Sequence, residues 1–371
     1  MLIRHKLWRP WLAAGLAAGA ALVAVPTLAN GDTGLANVRV VASTVPANGD
    51  INPYGVAVAP VSRGDLVAGD VLVSNFNNSS NLQGTGTTIV EVSREGGVTL
   101  FAHLTSDGLP GACPGGVGLT TALVALRSGW VVVGSLPTSD GTSATMKAGC
   151  LVVLNPWGTA VETISGPLIN GPWDMTAFDG GRSALLFVTN VLNGTVAASP
   201  NVVDGGTVVR IGLDMYGDAA PVVASETIIG KSFSEQTSSS ALVVGPTGLG
   251  LGRDGSLFVA DTGANRIAVI PDAITRSTAV AGATVSAGGA LDGPLGLATA
   301  RDGDILTTNG GNGNLVTITP EGFQVAVTTL DNTSEAPLPN GNGTLFGLAV
   351  APDQRSVYFV DDGSTTLNVV R

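Results

Sequence analysis

Histidine is almost missing from this chain. Of 371 residues, only His5 and His103 are histidine. His5 lies in an apolar N-terminal leader and His103 stands alone. Neither a nucleophile–histidine–acid triad nor a histidine-ligated zinc site can be assembled from them. Cysteine is equally scarce, with Cys113 and Cys150 only, so no thiolate metal cluster is available. Charged residues make up 12% of the chain and aromatics 5%. The formal charge is −11, and the leader holds Arg4, Lys6 and Arg9, so the remainder is more acidic still. Such a surface has no counterions to release from nucleic acid and no attraction to an anionic membrane. Beyond the leader no apolar run reaches spanning length, and no segment repeats at the helical period.

What the chain has is glycine, 52 residues of it, and many short runs of β-formers. One stretch sets the pattern, Pro246 to Ile270, PTGLGLGRDGSLFVADTGANRIAVI. Leu249 and Leu251 alternate with glycines, which suits a crowded inner strand. Arg253-Asp254-Gly255 is a hairpin turn, SLFVA (256–260) a second strand, and Asp261-Thr262-Gly263 a second turn before NRIAVI (265–270). The inner-strand signature recurs at Pro53–Ala57, Gly116–Thr120, Pro172–Thr176, Pro294–Ala298 and Leu345–Ala349. Each copy is followed by a second strand (71–75, 130–135, 185–190, 304–309, 356–361) and a third (88–92, 150–154, 207–211, 315–319, 366–370). The period is about 50 residues.

The last copy ends after its third strand, and Ala36–Thr44 is an orphan strand ahead of the first. Joining the two completes one more unit and removes an open sheet edge. The expected fold is all-β: a six-bladed β-propeller of four-stranded antiparallel blades, the last blade closed by the N-terminal strand. Residues 30–371 are read as one propeller domain and as a monomer.

Residues 246–270 resemble an NHL repeat, through P-x-G, then D-G, V-A-D and N-R-I. Pro294–Thr319 is similar in part, and the other copies keep the inner-strand signature and a polar strand end. The resemblance implies a propeller and no single function.

Residues 1–29 read as a secretory signal peptide: basic at Arg4, Lys6 and Arg9, apolar from Trp11 to Leu28, with small residues before Asn30. An uncleaved membrane anchor is the alternative. Either way the propeller is expected outside the cytoplasm, secreted or periplasmic. In that compartment Cys113 and Cys150 are expected to form a disulfide that pins a loop.

The face on which inner strands begin, termed the upper face, is where function is expected. Three long loops rise there: Asn75–Thr87, Leu136–Gly149 and Val191–Gly206. Asn75, Ser135, Asn190, Asp261, Asn309 and Asp361 end the second strands, and Tyr54, Trp173, Asp174 and Phe346 stand in inner strands. These ten converge near the central channel if the blades are arranged as inferred. Trp157, by contrast, falls on the lower face. Asn190, Asp261, Asn309 and Asp361 carry hard oxygens suited to Ca²⁺. Such a ring is similar to the calcium site of gluconolactonase- and paraoxonase-type lactonases, although those families place a Glu where this chain reads NPYG (52–55). PYGV (53–56) also resembles streptogramin lyases, whose catalytic histidines have no counterpart here. Asn and Asp at strand ends also commonly bond turn backbone. Two functions follow as expectations. One is an exported, non-catalytic module that binds a protein, glycan or small molecule on the upper face. The other is a divalent-metal-dependent hydrolase or lyase.

Overall fold

The computed structural model describes residues 37–239, 241–333 and 341–371. The leader and its expected cleavage site lie outside the described residues. Six antiparallel sheets form a closed ring. Blade 1 runs Ile51–Val58, Val71–Asn77, Thr88–Val92, Val98–His103, and blade 2 runs Leu119–Ala125, Val131–Ser135, Cys150–Leu154, Ala160–Ile164. Blade 3 runs Pro172–Asp179, Ser183–Asn190, Val203–Asp214, Val222–Ser238, with a fifth short strand at Leu242–Val244. Blade 4 is Pro246–Leu251, Leu257–Asp261, Arg266–Ile270, Ala283–Ala287; blade 5 is Pro294–Thr299, Ile305–Asn309, Asn314–Ile318, Gln324–Thr329. Blade 6 is Leu345–Val350, Val357–Asp361, Thr366–Val370, and its fourth strand is Arg39–Ser43 from the other end of the chain. Arg39 pairs with Val369 and Ser43 with Thr366, so the N-terminal strand closes the ring as expected.

Six apolar clusters hold the ring, one at each blade-to-blade interface. This explains the composition of the middle strands. VVVGS (131–135) and CLVVL (150–154) are buried throughout, because a neighbouring blade covers each face of the sheet. Outer strands such as Val98–His103 bury only part of their length and alternate less cleanly.

A second contact repeats at every other interface. Ser74, Thr189 and Thr308 stand one residue before Asn75, Asn190 and Asn309 in the second strands of blades 1, 3 and 5. Each hydroxyl accepts an inner-strand N–H of its own blade, from Gly55 (3.0 Å), Asp174 (2.9 Å) and Gly296 (3.1 Å). Each also donates to an inner-strand carbonyl of the next blade, at Thr120 (2.7 Å), Thr247 (3.1 Å) and Phe346 (3.0 Å). Blades 2, 4 and 6 carry Gly134, Ala260 and Val360 at that position; between blades 4 and 5 the hydroxyls of Thr247 and Thr262 donate instead to Leu295 O (3.0 Å) and Pro294 O (2.6 Å). Inner strands approach so closely that a Cβ on Gly347 would run into the Tyr54 carbonyl oxygen, and one on Gly296 into that of Phe346.

Blade 2 departs from the expected register. The position that holds Pro53, Pro172, Pro246 and Pro294, opposite the end of the second strand, is filled by Leu119, which pairs with Ser135. The inner strand therefore starts three residues later than the Gly116 signature suggested. Its bulge also holds one residue more than the others, between Leu119 and Leu123. Gly116 and Gly118 instead belong to the approach loop, where the Ser135 hydroxyl donates to Gly116 O (2.9 Å) and accepts from Gly118 N (2.9 Å).

Cys113 and Cys150 are bonded, joining the loop before blade 2 to that blade's third strand. No helix among the described residues is long and apolar enough to cross a membrane. A disulfide of this kind is consistent with an oxidising compartment.

Candidate functional site

The central channel has two unlike ends. At the upper end the second residues of the inner strands turn inward and meet. The Tyr54 ring stacks on Phe76 (4.2 Å between centroids) and on Phe346 (3.9 Å), with Trp173 tilted beside it at 6.0 Å. Leu295 completes the group, and all five side chains are buried. Burial, with the charge of Asp362 second, pushes the Tyr54 phenol well above its ordinary value. Tyr54, Trp173 and Phe346 thus come together as expected, in the form of a hydrophobic plug.

A hairpin covers the plug. The outer strand of blade 3 continues to Ser238 and returns, pairing Gln236 with Val244 and Ser238 with Leu242. Ala241, Leu242 and Val243 are buried against the plug, and Trp173 Nε1 donates to Val243 O at 3.1 Å. Two long upper loops seat on this hairpin. Thr138 donates to Gln83 O (2.5 Å), and Gln83 Nε2 donates to Ser239 O (3.1 Å). The loops therefore close over the channel. The third, Val191–Gly206, contains a helical turn at Thr195–Ala198 and underpins the hairpin through Glu235. Oε1 of that fully buried acid accepts from Asn193 N (2.9 Å) and Thr195 Oγ1 (2.8 Å), and burial raises its pKa to about 7.

The strand-end polar residues surround the plug, each tied into its own surroundings. Asn75 Nδ2 donates to Thr44 O (3.1 Å) and Thr88 Oγ1 (3.3 Å). Asn190 Oδ1 accepts from Asn170 N (3.2 Å) and Gly171 N (3.3 Å). Asp261 Oδ2 pairs with Arg266 Nε at 2.8 Å. Asn309 Nδ2 donates to Ala290 O (2.8 Å) and Asn312 Oδ1 (3.0 Å), and Asp361 Oδ1 accepts from Ser364 N (3.1 Å). Burial raises the pKa of both Asp261 and Asp361, opposed in Asp261 by Arg266 and in Asp361 by the Ser364 N–H. Calcium takes six to eight oxygens around one point. Here apolar rings fill the centre, and among the described residues no three His, Cys, Asp or Glu side chains come together. As one cage the four expected ligands Asn190, Asp261, Asn309 and Asp361 do not fit the ion. Oδ1 of Asn75, Asp261 and Asn309 is nonetheless buried without a protein partner.

Below the plug the channel opens. A cavity of about 420 Å³ is lined by the later residues of all six inner strands, whose exposure rises toward the lower face. Val56, Leu123, Met175, Leu249, Leu297 and Leu348 line it, while polar atoms supply the larger part of the surface that faces the cavity. Two polar side chains stand at its closed end. Asp174 is 8% exposed, and its Oδ2 accepts the N–H of Leu249 at 3.0 Å. Burial pushes its pKa up to about 7 against the pull of the Met175 and Leu249 N–H groups. Thr121 is 3% exposed, and its Oγ1 has no protein partner. Asp174 was legible as the one carboxylate among the inner-strand signatures. Thr121 was hidden by the register of blade 2, and the spacing back from Ser135 was the signal that could have revealed it. Asp179 marks the lower mouth, where its carboxylate accepts from Gly181 N (2.8 Å) and Arg127 N (2.6 Å). On the same lower face Trp157 is 59% exposed near the Arg63–Asp218 ion pair.

No protein-family model matches the chain, and no curated protein matches its sequence. Solved structures do resemble it. A gluconolactonase from Xanthomonas campestris matches at 13% identity over 90% of this chain and 89% of that one, with a TM-score of 0.55. A calcium-binding protein, regucalcin, from Agrobacterium tumefaciens matches at 13% identity over 88% and 92%, TM-score 0.53. A luciferin-regenerating enzyme matches at 11% identity over 88% and 94%, TM-score 0.53. At such identities the likeness extends to fold alone, and with the six sheets described above it makes the chain a six-bladed β-propeller.

Proposed function

We propose that this chain is an exported, non-catalytic propeller that binds a small molecule in the lower half of its central channel. One observation carries the reading: the channel is stoppered above by the Tyr54 cluster and opens below on a cavity of mixed polar and aliphatic lining that includes buried Asp174. Clefts of roughly 300–1,000 Å³ with apolar walls and few polar groups are the usual form of small-molecule sites. Among the described residues the cavity lining offers no histidine, cysteine, lysine or serine to pair with its threonines and aspartates, so binding is better supported than nucleophilic catalysis. The test is a small-molecule screen by thermal shift, repeated on Ala349→Trp, which fills the lower mouth. Hits that vanish in that variant support the reading. Hits that persist there would move the site to the upper loops, where a protein or glycan partner would also dock.

A second reading is favoured by the unpartnered Oδ1 atoms of Asp261 and Asn309 in neighbouring blades. These are acceptors that a divalent ion or water would satisfy, in a fold shared with proteins described as a gluconolactonase and a calcium-binding regucalcin. Calcium titration of chelator-treated protein tests it. A rise in melting temperature that Asp261→Asn removes would support a metal-dependent hydrolase, and no response to calcium would retire it.

A further inference from the structure

We infer that the closed end of the lower channel receives the ammonium group of a small aliphatic primary amine, held between the Asp174 carboxylate and the Thr121 hydroxyl. The inference rests on the reading that the lower channel is the binding site. It begins from a charge without a partner. Among the described residues, Asp174 and Asp179 are the only ionisable groups lining the cavity. Asp179 is taken up by two backbone N–H groups at the mouth. Asp174 receives backbone N–H donors at Leu249 and Met175 and no cation. A carboxylate buried in aliphatic surroundings without a counter-charge is costly to ionise, which is why burial holds its pKa near 7. A cation that enters the channel with it removes that cost.

The shape of the site selects the kind of cation. An ammonium group carries three donors and needs acceptors in more than one direction. Asp174 supplies one, and the unpartnered, buried Thr121 Oγ1 supplies another from the neighbouring blade. Four other inner strands carry Gly55, Gly248, Gly296 and Gly347 at the matching position, packed against neighbouring atoms, and so add no polar side chain there. A divalent metal would need several more oxygens than one carboxylate and a hydroxyl. A quaternary ammonium is best held by aromatic faces, and the aromatic rings here are packed against one another as the plug. Val, Leu and Met side chains lie among polar atoms along the walls that lead out to the lower mouth, and they offer an alkyl chain apolar contacts.

The experiment is calorimetric titration of the full chain with n-hexylammonium, with hexanol as the neutral isostere and hexanoate as the anion. Hexylammonium is expected to bind at millimolar concentration or tighter, with hexanol at least about tenfold weaker and hexanoate not binding, because the charge-assisted bond is the selective contact. Asp174→Asn, close to isosteric, is expected to weaken hexylammonium about tenfold or more. Thr121→Val should weaken it less. Affinity should also fall as pH drops below 7, since the amine stays protonated while Asp174 takes up its proton. Equal binding of hexanol and hexylammonium, both lost in Ala349→Trp, would overturn the ammonium inference and leave the channel reading standing. Binding of hexylammonium that survives Ala349→Trp would overturn both, as would binding of neither probe.

Discussion

The two ends of the central channel are built from the same six strands, and they differ by a step of one or two residues. One step into blades 1, 3, 5 and 6 stand Tyr54, Trp173, Leu295 and Phe346, which meet on the axis and close it. One step further the strands carry glycine in four blades, packed against neighbouring atoms, and Asp174 in blade 3, which lines the cavity below. Each end also has a buried acid whose pKa burial raises to about 7. Glu235 is fully enclosed under the hairpin, whereas Asp174 faces a cavity. The same electrostatic cost therefore has different uses. At Glu235 it can only be relieved by a proton, and at Asp174 it can also be relieved by a ligand.

The comparison breaks most sharply if the plug is removed. Tyr54→Ala deletes the ring that stacks on both Phe76 and Phe346, and it should cost about 3–5 kcal/mol, read as a lowered urea midpoint. An unchanged midpoint would mean that the rings are not the seal described. Next comes the disulfide that ties down the loop entering blade 2. Cys113→Ser with Cys150→Ser frees a loop with a sequence separation of 37, and about 3–4 kcal/mol of stability should be lost on the chain-entropy estimate. Hexylammonium binding below the plug should survive this change.

The two acids sharpen the comparison through pH. An acid with a folded pKa near 7 keeps its proton where the unfolded chain, at 3.8 for Asp or 4.5 for Glu, has lost it. The unfolded state then binds fewer protons between those values and about 7, so stability falls as pH rises through that window. Asp174→Asn and Glu235→Gln should each stabilise the protein at pH 8, on the order of 2–3 kcal/mol, and do little below pH 4. Hexylammonium should erase the Asp174 penalty and leave that of Glu235. Denaturant melts at the two pH values, with and without the amine, separate the cases. The smallest expected effect is Trp173→Phe, which loses the bond to Val243 O and should cost about 1 kcal/mol. A loss much larger than that would mean the hairpin lid hangs on this one contact.

Much of the ring could be read from residues alone. Pro246–Ile270 carried its three strands almost to the residue, and Ala36–Thr44 closes blade 6 through Arg39–Ser43. The register of blade 2 misled because Gly116 and Gly118 imitate the crowded glycines of other inner strands while serving a loop. The hairpin lid was invisible. Its turn falls in a serine-rich segment, and its strand lies across the ring, where the periodicity of blade 3 gives no sign of it. Asn190, Asp261 and Asp361 looked like a converging set because sequence places them at one height. Whether such oxygens face a ligand or a nearby N–H is decided by turns such as Ser364 and pairs such as Arg266.

The most direct test of the account is a ¹³C-carboxyl NMR titration of Asp174, made with and without n-hexylammonium. The expected result is a midpoint near 7 in the free protein, shifted downward when the amine is present. A midpoint at the ordinary aspartate value, or one near 7 that the amine does not move, would contradict a buried carboxylate open to a cationic ligand from below.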